Sequence, residues 1–301
     1  MKTTPALQKG DLIAFASPAR SVRPDDLKTA VSWFEKKGYK VMIDPQILTT
    51  EHQFAGSDEI RVAHFQKLLD DSSVKAIICT RGGYGSMRII DRLDFSSLRL
   101  HPKWIVGYSD ITVFHAHLQQ TLQMESLHAS MPLNFENNTT EAVMSLFDAM
   151  EGKQLQYNFP MHPLNRNGKA AGELVGGNLS ILYSLQGSVS FPDMTGKILF
   201  IEDIDEYLYH VDRMMLSLKR AHVFEGILGL VVGDMTDMRD NTIPFGKTAE
   251  EIISAHIQEY DFPVGFGFPA GHLNNNLALI MGRKSILEVR SGQMPLLIQE
   301  S

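Results

Sequence analysis

The stretch Lys103–Gln120, KWIVGYSDITVFHAHLQQ, runs an apolar strand into Gly-Tyr-Ser-Asp and then directly into a helical pattern. The same strand-to-helix unit recurs upstream. DLIAFAS (11–17) precedes the amphipathic PDDLKTAVSWFEKKGY (24–39), KVMIDP (40–45) precedes a helix from about Ser57 to Asp71, and VKAIICT (74–80) precedes a short helix near Gly85 to Leu93. Strands apolar on both faces that alternate with helices predict an α/β fold opening with a Rossmann-like parallel sheet, helices on both faces. Ligands of such sheets collect beyond the carboxyl ends of the strands, where CTRGGYGS (79–86) and VGYSD (106–110) both fall.

Between Met150 and Lys169 the text becomes irregular: EGKQLQYNFPMHPLNRNGK holds two prolines, three asparagines and two glycines without a sustained period. A domain boundary is expected there, dividing the chain into 1–155 and 168–301. The second part has fewer helices per strand, which predicts a mixed α/β domain with barrel-like or swivelling strand pairing.

Thirty-five acidic against 28 basic residues give a formal charge of −7, which repels phosphate backbones and anionic lipid, so no nucleic-acid partner is expected. The single cysteine, Cys79, rules out an intrachain disulfide framework and multi-cysteine metal sites. Lying in an apolar strand, it reads as inert core and not as a nucleophile. The first twenty residues lack the charge and apolar order of a secretory signal, and no apolar run approaches ~20 residues. The chain is therefore read as cytoplasmic, without a membrane association.

Ser109 has two readings. At a strand-to-helix corner it is exposed like the serine of a nucleophile elbow, although Thr112 or Ile111 stands where GxSxG has its second glycine; it also suits an ordinary helix N-cap. The glycine loop Arg81-Gly82-Gly83-Tyr84-Gly85-Ser86 is neither a Walker loop nor G-x-G-x-x-G. Its N–H groups suit an oxyanion, or its glycines simply meet a turn that needs positive φ. A serine nucleophile needs a base, and the base an orienting group. His115 and His117, two residues apart, face different sides of their helix. His64, His222 and His256 fall in amphipathic helical patterns, whereas His272 follows PVGFGFPAG in loop chemistry at a strand end. Glu202 closes the apolar run KILFIE, where a buried charge demands a partner; Asp203, Asp205 and Glu206 rival it.

The blocks RGGYGSMRIIDRLD, IVGYSDIT, GELVGGNLSIL, KILFIEDIDEYLYHVDRMMLSL and GFGFPAGHLNNNLALIMG, collinear from about Asp11 to Met281, resemble the LD-carboxypeptidase family of serine peptidases. That family includes murein tetrapeptide carboxypeptidases and microcin C self-immunity hydrolases. The resemblance implies a catalytic triad of Ser109, His272 and Glu202, with an oxyanion hole from the backbone N–H of Asp110 and of Gly82 or, alternatively, Gly83. It implies no metal or other cofactor, a homodimer, and an active site between the two domains. Gly176, Gly177 and Asn178 are expected to bind substrate, two glycines allowing close backbone approach and the asparagine offering a donor and an acceptor. VGGN also reads as a turn capping a helix from Leu179.

The implied activity is release of the terminal D-alanine from cytoplasmic murein tetrapeptides during cell-wall recycling. The alternative keeps the machinery and takes a peptidyl- or aminoacyl-nucleotide, as in the microcin branch, which stacks an aromatic ring, often tryptophan, on the nucleobase from the loop after GGN. Here the only tryptophans are Trp33 and Trp104, well before that loop, and Tyr183 and Phe191 alone offer rings in it. The murein substrate is therefore favoured. A non-catalytic binding protein is a third reading, opposed by the intact Ser109, Glu202 and His272.

Overall fold

The computed structural model describes residues 2–300. Its first sheet holds β1 (Leu12–Ala16), β2 (Lys40–Met42), β3 (Val74–Cys79), β4 (Trp104–Gly107) and β5 (Ser126–His128), all parallel in the spatial order 2-1-3-4-5. Alternation along the strands explains the layers. Ala76, Ile78, Trp104 and Val106 point into a core with Phe34 and Phe147, from the helices Lys28–Lys36 and Thr140–Met150. Ile77, Cys79 and Ile105 point to the other side, against Phe65 and Phe114 of the helices Asp58–Asp70 and Thr112–Leu122. The inner strands β1, β3 and β4 are largely buried on both faces because helices cover both.

The second sheet contains β6 (Leu155–Asn158), β7 (Gly168–Asn178), β8 (Lys197–Ile204), β9 (Gly229–Thr236), β10 (Val264–Phe266), β12 (Lys284–Val289) and β13 (Leu296–Gln299), in the order 10-9-8-7-12-13-6. Strands 7 to 10 are parallel, and 12, 13 and 6 extend the sheet antiparallel. The sheet is mixed and open, which corrects the barrel-like expectation: its edges β10 and β6 do not pair.

Two strands depart from the expected domain partition. β6 lies within the irregular stretch yet pairs with β13. β11 (Leu279–Met281), from the C-terminal half, pairs antiparallel with β5 and closes the edge of the first sheet. The chain thus returns to its first sheet immediately after His272. A buried ion pair reinforces the join, Arg283 Nη2 lying 2.8 Å from Glu125 Oε2. Among the described residues no helix is long and apolar enough to cross a membrane.

Candidate active site

β4 ends at Gly107, where a Cβ would lie 2.7 Å from Ile111 Cγ1, so the corner closes only on glycine. Ser109 then takes a φ of +61° and opens a single 3-10 turn, Ser109–Ile111, that leads into the helix Thr112–Leu122. Left-handed backbone costs a non-glycine residue about 1–2 kcal/mol. It is held here by the buried neighbours Tyr108, Asp110 and Ile111. Ser109 is half-buried, and its hydroxyl caps neither the turn nor the helix. Local geometry is therefore that of an elbow and not of an N-cap.

The glycine loop is fastened to this elbow. Ser86 N donates to Asp110 Oδ2 at 2.9 Å, tying the start of the helix Ser86–Ile89 to the corner. Burial pushes the Asp110 carboxyl up, against the hydrogen bonds from Ser86 and Gly85. A Cβ on Gly82 would sit 3.4 Å from both Asp110 N and Tyr108 O, whereas one on Gly83 would meet the Arg20 side chain at 2.6 Å. Gly82 is the glycine that borders the elbow.

Glu202 and His272 form a pair, with His272 Nδ1 2.7 Å from Glu202 Oε2. The ladder between β8 and β9 shifts register between Ile201 and Asp203, where β9 carries one extra residue opposite Glu202. Glu202 and Asp203 are both buried at the end of β8. Of the four carboxylates that rivalled one another in sequence, Asp203 accepts from Asn178 Nδ2, Ser180 N and Ile204 N at 2.9 Å each, Asp205 pairs with Arg239, and Glu206 with His210. Only Glu202 meets His272. The loop before the histidine is pinned by Gly271 N donating to Asn276 Oδ1 at 2.9 Å.

Three buried or half-buried carboxylates surround the imidazole. Burial alone lowers the His272 pKa, but the charge and hydrogen bond of Glu202, helped by Asp203 and Asp234, outweigh it and raise the value above an ordinary imidazole. Burial first, then the Glu202 charge, pushes Asp203 up to about 7 and Asp234 in the same direction. The Tyr108 ring, next to Ser109, lies 4.9 Å from the His272 ring between centroids, so elbow and pair adjoin. Among the described residues Ser109 Oγ has no hydrogen-bond partner. Catalytic contacts of this kind often tighten only around substrate.

Gly176, Gly177 and Asn178 each have close neighbours within the fold. A Cβ on Gly176 would fall 2.0 Å from Phe200 O, and one on Gly177 would fall 2.5 Å from Thr112 Oγ1. Asn178 N donates to Thr112 Oγ1 at 3.0 Å, and its side chain caps the helix Leu179–Leu185 by accepting from Ile181 N. Gly176 thus packs against β8, Gly177 and Asn178 meet the elbow helix at Thr112, and the capping of the helix Leu179–Leu185 by Asn178 is formed. Gly176→Ala should consequently destabilise the protein by about 3 kcal/mol or more, because the clash is with backbone and φ is +122°. Urea unfolding measures this, and an unchanged midpoint would show that β7 and β8 can separate without cost.

Four other histidines, His115, His117, His128 and His256, are held in the fold. His115 bonds Gly107 O and Ser126 Oγ at 2.9 Å each, and burial pushes it down to about 4. His117 meets Ser190, and His256 meets Asp212. Arg213 lies over the Tyr209 ring. His128, which sequence reasoning passed over, is fully buried between Tyr108 and Phe200, and burial holds it neutral. Trp104 is buried and bonds Pro5 O, while Trp33 packs on Phe147, so neither ring serves the site.

Residues 11–129 match the model of the LD-carboxypeptidase N-terminal domain and residues 171–287 that of the LD-carboxypeptidase C-terminal domain. A probable murein peptide carboxypeptidase of Bacillus subtilis is 33% identical over 291 residues, covering 94% of this chain and 90% of the relative. The murein tetrapeptide carboxypeptidase of Pseudomonas aeruginosa is 24% identical, covering 92% of each. The crystal structure of muramoyltetrapeptide carboxypeptidase from Oxalobacter formigenes superposes with a TM-score of 0.86 at 27% identity, over 96% of this chain and 99% of that one. The microcin C7 self-immunity protein MccF shares the fold, with a TM-score of 0.86 at 22% identity over 98% of each chain. With a nucleophile-type elbow in the first matched region and the glutamate–histidine pair in the second, the chain belongs to the LD-carboxypeptidase family.

Proposed function

We propose that the protein is a serine-dependent LD-carboxypeptidase that removes the terminal D-alanine from murein tetrapeptides in the cytoplasm, as part of cell-wall recycling. The observation that carries this reading is the 2.7 Å Glu202–His272 pair beside an elbow that holds Ser109 at φ +61°. Ser109 Oγ attacks the carbonyl carbon of the penultimate residue while the free ring nitrogen of His272 takes the hydroxyl proton. The resulting oxyanion is held by the N–H groups of Asp110 and Gly82, each such donor contributing on the order of 10²–10³ in turnover. Collapse breaks the C–N bond, His272 returns the proton to the leaving amine of D-alanine, and an acyl-serine remains. Water, deprotonated by His272, then cleaves that ester and releases the tripeptide. Glu202 keeps the imidazole in the tautomer whose outer nitrogen is a base. The reading includes a homodimer, carried by the family resemblance alone.

Incubating the protein with a murein tetrapeptide and, separately, with an aminoacyl-adenylate analogue, then weighing the products, tests the substrate. Loss of one alanine from the tetrapeptide is expected. Cleavage confined to the nucleotide compound would transfer the machinery to the microcin-type reaction. Against that outcome, Phe191 is partly buried against the second-domain core and the Tyr183 ring lies edge-on to that of His210.

A further inference from the structure

The loop after β1 places Arg20 beside the glycine loop. Its backbone is fixed by an antiparallel bridge to Phe54, and Ala55 N donates to Ala19 O at 3.0 Å. Its side chain runs across the α-carbon of Gly83, where a Cβ would lie 2.6 Å from Arg20 Cδ and 2.7 Å from Arg20 Nε. Only glycine at 83 leaves that path open. Arg20 Nε is buried without a hydrogen-bond partner, and no carboxylate pairs with the guanidinium among the described residues. The neighbouring cations are all engaged. Arg61 bonds Pro18 O and Gly85 O, Arg81 bonds Ser21 O, and Arg88 pairs with Asp58.

A half-buried arginine without an anion is an unfinished interaction, since guanidinium recognises carboxylates through paired, charge-assisted hydrogen bonds. An exopeptidase must recognise the free carboxylate of the residue it removes. That carboxylate carbon is three bonds beyond the scissile carbonyl carbon, within about 4 Å of it. Gly82 borders the elbow, and the next residue, Gly83, carries Arg20 over it. We propose that Arg20 binds the C-terminal carboxylate of the peptide and confines the enzyme to the last residue. This inference rests on the carboxypeptidase reading above and adds the residue that sets exopeptidase specificity.

The test compares kcat/KM on a murein tetrapeptide with a free terminal carboxylate and on the same peptide ending in a carboxamide, for wild type, Arg20→Met and Arg20→Lys. Wild type should prefer the free acid by about tenfold to a hundredfold, the scale of a charge-assisted contact. Arg20→Met should bring the preference close to one, mainly through KM, and Arg20→Lys should retain part of it. The preference is a ratio within one sample, so partial misfolding of a variant cancels. An undiminished preference in Arg20→Met, or a wild type that treats both peptides alike, overturns the role of Arg20 while leaving the carboxypeptidase reading intact. A wild type that hydrolyses neither peptide overturns both.

Discussion

Replacing Ser109 by alanine is expected to lower tetrapeptide turnover on the order of 10⁶-fold, the scale at which losing the nucleophile of a triad removes its partners' contribution as well. Fold stability should barely change, because the hydroxyl has no hydrogen-bond partner among the described residues and alanine inherits the same φ of +61°. Ser109→Gly separates the two effects. Glycine carries no penalty in left-handed backbone, so that variant should be equally inactive yet gain about 1 kcal/mol of the strain held at the corner. Strain of this kind is retained where it serves chemistry. Product release followed by mass, with urea unfolding alongside, checks both halves. Wild-type turnover in Ser109→Ala would end the serine mechanism, and a loss of stability in Ser109→Gly would mean that the corner is not strained.

The corner itself was legible because its determinants are local: an apolar run, a glycine that must admit Ile111, and a helix that follows at once. His272 was legible for the same reason, as loop chemistry between two strand-like runs. Glu202 was not separable from Asp203, Asp205 and Glu206 without the resemblance, because what sets it apart is a contact with His272, 70 residues on in the chain. VGGN was open to two readings in sequence. Paired glycines beside an asparagine fit both ligand approach and backbone approach, and the deciding partners, Thr112 and Phe200, are distant in sequence. The same limit hid β11, whose pairing with β5 joins segments about 150 residues apart, and Arg20, whose meaning depends on Gly83 lying under it. Non-local pairing also turned the barrel-like expectation into an open sheet, since β6 pairs with a strand at the far end of the chain.

Glu202→Gln is expected to lower kcat on the order of 10⁴-fold while leaving the site assembled. A glutamine side chain can present its amide N–H to Nδ1 of His272, which forces the ring proton onto the outer nitrogen and removes the base. The pH profile carries a second signature. In the wild type the negative charge of Glu202 favours the imidazolium against burial, so His272 loses its proton above the ordinary imidazole value, and activity should rise through that raised pKa. Removing the charge lets burial dominate, and the rising limb should move to lower pH; Asp203 and Asp234 remain and keep the shift partial. Stability follows the opposite sign. The Glu202–His272 attraction contributes fully below the unfolded imidazole pKa and fades as pH rises through the higher folded value, so the wild-type advantage over Glu202→Gln should be largest in mild acid. Rate profiles and unfolding midpoints from pH 5 to 9 measure both quantities. A variant whose rising limb coincides with that of the wild type would remove Glu202 from its place behind the base, whatever happened to kcat.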